Sequence, residues 1–449
     1  MSKKRENPLL TFFSHNNDYD PLIIRNPGSE NVKMYRISHF FLSVMAASAL
    51  AVPTAQAQEF EHVHLDRSDS VQFADLLPLA IENSPRYREL AARNAEASAH
   101  QAVGDSWIAG NPSLSVDYLD DRSLSNLGQT ELTWGVELPL WRLGEKQQMA
   151  ALGERYGEQS TAWKQALELD IAGQLRIALA DLNEADTLIV LEQEATGNAQ
   201  ALLDIVERLF TAGEVAQLEV MQARSLLLNQ QRNELQANAA RVDAERQYHI
   251  LTGLEVAPAT AHSESRVENE TIPTSHPVLD LLQADIDLQA ANVLKVKAAA
   301  KGNPSLTLGS RRQKDAPGAG YSNALALSVK IPLGGSTFVN ASTANAERAK
   351  VEAEVQYYTA LRELNAKLHE AEYQLFTVES ALPMMEEEAR LASQQWEMAR
   401  TAFELGEIDM SQVVIALQLA RNSAKDFETL ALRQQRLILQ YNQIIGVLP

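Results

Sequence analysis

The string Gly110-Asn111-Pro112-Ser113-Leu114 returns at Gly302-Asn303-Pro304-Ser305-Leu306, at an offset of 192 in a chain of 449 residues. The flanks repeat with it. Pro85 to Leu114 overlays Pro277 to Leu306 without a gap. Beyond the string the offset becomes 193, placing Pro139 over Pro332, Gly213-Glu214 over Gly406-Glu407, Tyr248 over Tyr441 and Gly253 over Gly446. One residue has been gained between Leu306 and Pro332. The chain is an internal duplication, and a repeat of this period governs the whole architecture.

Each repeat reads as a short helix, two strands and two long helices. Leu114, Val116 and Tyr118 alternate with Ser113, Ser115 and Asp117, and Leu132, Trp134, Val136 and Leu138 with Glu131, Thr133, Gly135 and Glu137. The second repeat does the same at Leu306 and Leu308, then at Leu325, Leu327, Val329 and Ile331. Strict alternation gives each hairpin one apolar and one polar face, which suits a surface hairpin on a helix layer and a membrane strand equally. The long polar connections, Leu119 to Gln129 and Arg312 to Ser322, and strands of about nine residues favour the membrane. Proline stands at all four strand-to-helix junctions, Pro112, Pro139, Pro304 and Pro332, where its missing N–H interrupts neither element.

From Gly144 to Phe210, and again from Thr337 to Phe403, apolar residues recur at helical spacing, as in Leu167, Ile171, Leu175, Ala178 and Leu182. Helices of that length reach ~100 Å and need coiled-coil neighbours. Gly213 and Gly406 end them in the manner of a left-handed cap, and Glu214 and Glu407 place a negative charge near the start of each return helix. Pro383 falls inside the second long helix, where a kink is expected.

The organisation that follows is a leader and signal over residues 1–57, a first repeat over 58–254, a linker over 255–275 and a second repeat over 276–449. The hairpins occupy about 112–139 and 304–332, the helical hairpins about 144–252 and 337–446. The signal proper spans about 34–57: Arg36, an apolar run from Phe40 to Val52, and Ala55-Gln56-Ala57, with cleavage expected after Ala57. A start at Met34 gives a signal of ordinary length, whereas a start at Met1 adds a polar leader. Past the signal no run approaches the ~18 apolar residues of a membrane helix. A formal charge of -20 argues against nucleic acid as a partner, and zero cysteine excludes disulfides, thiolate zinc sites and a lipidated cysteine.

Four strands cannot close a barrel, and open strand edges cannot face lipid. Two copies would supply eight strands, which side chains fill; three copies supply twelve and leave a channel. The expected fold is therefore an α+β membrane protein. It would be a homotrimer closing a twelve-stranded membrane β-barrel.

The signal, the duplicated strand-strand-helix-helix plan, the proline junctions and the paired Gly-Glu turns together resemble the TolC-type outer-membrane efflux family over residues 70–446. The resemblance implies a trimer whose twelve-stranded barrel sits in outer-membrane lipid and is continued by a long periplasmic α-helical barrel, a passive exit duct joined to an inner-membrane pump of the RND type through a periplasmic adaptor. It places Gly213, Glu214, Gly406 and Glu407 at the periplasmic tips that meet the adaptor. Some family members close the entrance with aspartates six and nine residues after the second tip glycine; here those positions hold Gln412 and Ile415, leaving Glu219, Asp409 and Gln412 as entrance-gate candidates.

Pro139 to Gln147, "PLWRLGEKQ", Leu382-Pro383 and the Gly-Glu tips are similar to the heavy-metal (cobalt-zinc-cadmium) branch. Multidrug efflux and type I protein secretion are the alternative duties, and a structural coiled-coil surface protein is the alternative of another class. His62 and His64 share one face of an extended segment among Glu59, Glu61 and Asp66, a candidate divalent-metal site. The dispersed methionines read as core packing. The sequence contains no G-x-S-x-G, H-E-x-x-H or phosphate loop, so neither an enzyme nor a cofactor is expected.

Overall fold

In the computed structural model, which describes residues 64–448, the order of elements runs twice. The first half contains β1 (Asp66–Ser68), α1 (Phe73–Asn83), α2 (Tyr87–Asp105), β2 (Ser113–Asp120), β3 (Thr130–Pro139), α3 (Glu145–Ala212) and α4 (Gln217–Thr252). The second contains β4 (Val256–Pro258), α5 (Pro277–Ala299), β5 (Ser305–Lys314), β6 (Ser322–Lys330), α6 (Ser336–Glu404) and α7 (Met410–Ile445). The signal segment and His62 lie outside the described residues.

Both hairpins join one antiparallel sheet in the order β2-β3-β5-β6. Its register aligns the apolar parities of all four strands. Leu114, Val136, Leu308 and Leu327 form one cross-strand row, and Val116, Trp134, Ser310 and Leu325 the next. The large apolar side chains of these rows stay exposed, so this face is not packed on a helix layer. The opposite face carries Ser115, Gly135, Gly309 and Ala326, then Asp117, Thr133, Arg311 and Ala324. Arg311 pairs there with Glu131 across the strands. A Cβ on Gly309 would come within 2.0 Å of the Trp134 carbonyl oxygen, so glycine is required where β3 and β5 approach. The outer edges of β2 and β6 have no partner strand among the described residues.

The paired helices α3 and α6 have 68 and 69 residues, ~100 Å each. α3 packs against α4, α2, α5 and α7, whereas α6 packs against α7 and α5. Across the long helices the neighbours therefore run α4, α3, α7, α6, with α4 and α7 also in contact. Near the tips Leu202 and Val206 of α3, Leu226 of α4, Trp396 and Phe403 of α6 and Val413 of α7 share one core. Farther up, Leu76 of α1, Leu175 of α3 and Tyr248 of α4 form another, and Leu368 and Leu375 of α6 pack with Leu437 and Tyr441 of α7.

α6 continues through Pro383, which removes one ladder donor without ending the helix. Two expectations change. The segment 255–275 is a strap rather than a free linker: β4 pairs in parallel with β1. The repeat mates Tyr248 and Tyr441 donate their hydroxyls to the Val256 and Asn269 carbonyls at its two ends. Among the methionines Met410 is buried, but Met221, Met384 and Met398 lie exposed on α4 and α6.

Candidate functional site

The two helical tips are built alike. At the end of α3, Gly213 has φ 81°, its N–H donates to the Phe210 carbonyl, and Glu214 N–H reaches back 2.9 Å to Leu209 O. At the end of α6, Gly406 has φ 74°, its N–H donates to Phe403 O, and Glu407 N–H reaches Ala402 O at 2.9 Å. Both are Schellman turns, which recover helix-end carbonyls through a left-handed residue. A Cβ would meet nothing within 4 Å at either glycine, so backbone conformation alone demands them.

Glu214 and Glu407 sit in the turns, ahead of the return helices whose N-caps are Ala216 and Asp409. Asp409 accepts the Gln412 N–H at 3.1 Å, and donors from Ser411 and Gln412 hold its carboxyl below the usual range. Its repeat mate Ala216 offers no side-chain acceptor.

The turns lie side by side. Glu214, Glu219, Gly406, Glu407, Asp409 and Gln412 all line one groove of about 520 Å³, floored by Leu209, Val215, Phe403 and Ile408. Glu404 adds a fifth carboxylate, and no lysine or arginine lines it. Five carboxylates of one sign over an apolar floor concentrate cations and attract basic protein surface. Of the tip and gate candidates, Gly213 alone is not among the lining residues.

The four prolines fall where strand meets helix or loop, and the two repeats are tied together there. Ala109 N–H donates to Pro139 O at 2.9 Å and Leu140 N–H to Pro304 O at 2.7 Å. Arg142 donates to the carbonyls of Lys301, Gly302 and Pro332, and Trp141 Nε1 to Ser106 O at 2.9 Å. Pro112 directly precedes β2. The "WR" of the motif at 139–147 thus holds the junctions in place.

His64 stands 3.7 Å from the Glu245 carboxylate. Among the described residues no group of three or more metal-ligating side chains converges.

Sequence reasoning missed the joint between the helical hairpins. Glu192 of α3, nearly fully buried, receives Arg421 at 2.7 Å and Lys425 at 3.0 Å from α7. Burial alone would raise the Glu192 pKa; the two cations outweigh it and hold the carboxyl below its usual range. Arg436 reaches Asp181 at 2.7 Å and Glu184 at 2.6 Å. The available signal was the seven-residue series Ala185, Glu192, Ala199 and Val206, all buried, in which a carboxylate stands among apolar residues.

Residues 76–254 match the family described as Outer membrane efflux protein. No curated relative matches the chain. Among solved structures, VceC, an outer membrane protein of Vibrio cholerae, superposes with a TM-score of 0.68 at 16% identity, over 84% of this chain and 96% of that one. The chain has the outer-membrane channel fold. CusC, described by its transmembrane channel formation, gives 0.68 at 15% identity over 84% and 92%. The CmeC outer membrane channel of Campylobacter jejuni gives 0.65 at 17% over 83% and 85%. In a chain of this fold, the exposed apolar sheet face and the acidic tip groove occupy opposite ends of the ~100 Å helices.

Proposed function

We propose that the chain is an outer membrane efflux protein: a trimeric exit duct whose four strands per copy close a twelve-stranded barrel, with a helical barrel reaching across the periplasm. The observation that carries this reading is the sheet β2-β3-β5-β6, apolar on one face, polar on the other and open at both edges. Open edges in lipid leave backbone groups unsatisfied, and only copies joined edge to edge remove them. The acidic tip groove is the proposed meeting place with a periplasmic adaptor carrying basic side chains, and through it with an RND-type pump. The rival, an exported coiled-coil surface protein, has no use for an exposed apolar sheet. A heat-sensitive trimer in outer-membrane fractions supports the duct; extraction without detergent rejects it.

For cargo we propose heavy-metal cations, supported by the resemblance of the 139–147 string to the heavy-metal branch and by a tip groove whose charged side chains are all carboxylates. Deletion followed by challenge with zinc, cobalt, cadmium and copper salts beside dyes and antibiotics tests this. Sensitivity to organic compounds alone rejects the metal reading in favour of multidrug efflux. At the tip, Gly406→Pro imposes φ near −65° on a residue at 74°. It should abolish export while leaving trimer and barrel intact, whereas loss of the trimer would assign the glycine to assembly instead.

A further inference from the structure

The duplication supplies a template for the contact between copies. Within one chain α3 meets α7, and residues equally far from the two tips face each other across that seam. Ile205 and Val414, each eight residues from its tip glycine, pack on the same core. Leu191 and Asn198 of α3 line one small cavity with Arg421 of α7, and Asn198 and Arg421 are each fifteen residues from their tips. Continuing the same spacing to twenty-two residues gives Leu191 and Glu428. All six are half-buried.

At the repeat offset of 193, α3 maps onto α6 and α7 onto α4, the two outer helices of the layer. The six seam positions map onto Met398, Leu391 and Met384 of α6 and Met221, Leu228 and Leu235 of α4. Every one is a large apolar residue, between 45 and 73% exposed. Within one chain α4 and α6 are not packed on each other, and of the two stripes Leu228 borders a groove shared with Val414 and Ile415 of α7. α4 runs away from the tips and α6 towards them, so the antiparallel alternation continues if the next copy follows.

We infer that α6 of one copy packs against α4 of the next through three apolar layers, Met398 with Met221, Leu391 with Leu228 and Met384 with Leu235. This rests on the trimeric duct proposed above. The seam inside the chain mixes apolar contacts with charge, Glu192 holding Arg421 and Lys425, whereas all six positions of the seam between copies are apolar. Unbranched methionine suits the second, because it adapts to a neighbour across a subunit boundary.

The chain has no cysteine, so engineered pairs can be read without background. Leu228→Cys combined with Leu391→Cys should oxidise to an intermolecular disulfide, giving a ladder that ends at the trimer. Leu228→Cys with Met384→Cys, displaced by about 10 Å along the axis, exceeds the ~7 Å Cα separation a disulfide tolerates and should not. Leu228→Glu alone should lower the trimer fraction at least about tenfold, and Leu391→Lys added to it should restore most of it. Equal cross-linking of both cysteine pairs overturns the seam. So does a trimer by size in detergent with neither cross-link nor charge rescue, an outcome that leaves the duct standing. A wild-type chain that is monomeric in detergent overturns the duct itself and the seam with it.

Discussion

α3 and α6 are copies of one helix, yet one is an inner strut and the other an outer edge. On the face they share, Leu175 matches Leu368, Leu182 matches Leu375, Ala185 matches Val378 and Leu203 matches Trp396; all eight are buried. Elsewhere around the helix they part. Trp163, Leu169 and Leu179 of α3 are buried, while their mates Gln356, Arg362 and Glu372 on α6 are polar and partly or fully exposed. α1 and α2 pack on α3, with Leu76 of α1 in the core of Leu179 and Arg93 of α2 over the Trp163 ring, and α1 has no helical counterpart in the second repeat. A duplicated helix acquires a new place by changing a few side chains around it, with its length and main packing face kept.

Swapping residues between the mates should therefore have opposite outcomes. Leu179→Glu copies α6 chemistry into α3 and buries a carboxylate in the core of Leu76, Leu175 and Tyr248. We expect a loss of more than about 4 kcal/mol, read as failure to fold or collapse of the thermal transition of the detergent-solubilised protein. Glu372→Leu gives up a weak ion pair with Arg266 at 3.9 Å on a partly exposed surface. It should stay within about 1 kcal/mol of wild type. Comparable losses would show that α6 is as enclosed as α3.

Arg176 sharpens the comparison, because its mate is the exposed His369. Arg176 is 2% exposed and donates to both carboxylate oxygens of Glu264 at 2.7 and 3.0 Å, to Gln443 and to Val447 O. The strap thereby locks α3 to the end of α7. Burial alone would raise the Glu264 pKa; donors from His262, Arg176 and Asn442 outweigh it and hold it at about 2. A folded pKa below the unfolded one contributes stability present above ~4.3, which is lost as pH falls towards 2. Glu264→Ala leaves a buried guanidinium without its partner and should cost about 3–5 kcal/mol at neutral pH. Glu264→Gln should be milder and flatten the acid limb of stability against pH. An unchanged acid limb would place the acid sensitivity elsewhere.

Much of this was legible in the chain because each signal is local. Alternation marked both hairpins, and Gly213 and Gly406 marked both tips, since a left-handed turn is written in one residue. What the sequence did not announce depends on distant partners. Glu264 looked like one more charge in a polar, proline-containing segment; only folding brings it to Arg176, 88 residues away. Arg421 and Lys425 likewise carry no local mark of their role, which appears only where α7 lies against Glu192. The methionines were misread for a related reason: spacing shows that Met221, Met384 and Met398 lie on a stripe, but not whether that stripe belongs to this chain's core or to its edge.

The smallest predicted effect concerns the tips, the most similar pair in the molecule. Their turns share one hydrogen-bond pattern, and they differ at the start of the return helix, where Asp409 caps α7 and Ala216 leaves α4 uncapped. An N-cap acceptor satisfies one of the free N–H groups of the first turn and places negative charge at the positive end of the helix. Asp409→Ala should therefore loosen the α6–α7 tip, and Ala216→Asp should tighten the α3–α4 tip. Hydrogen exchange of the first-turn amides reads each one separately, with faster exchange at Gln412 in the first variant and slower exchange at Glu219 in the second. Export by Asp409→Ala decides what the carboxylate is for. Transport close to wild type with faster exchange makes Asp409 a cap, whereas lost transport with unchanged exchange at Gln412 makes it part of the entrance.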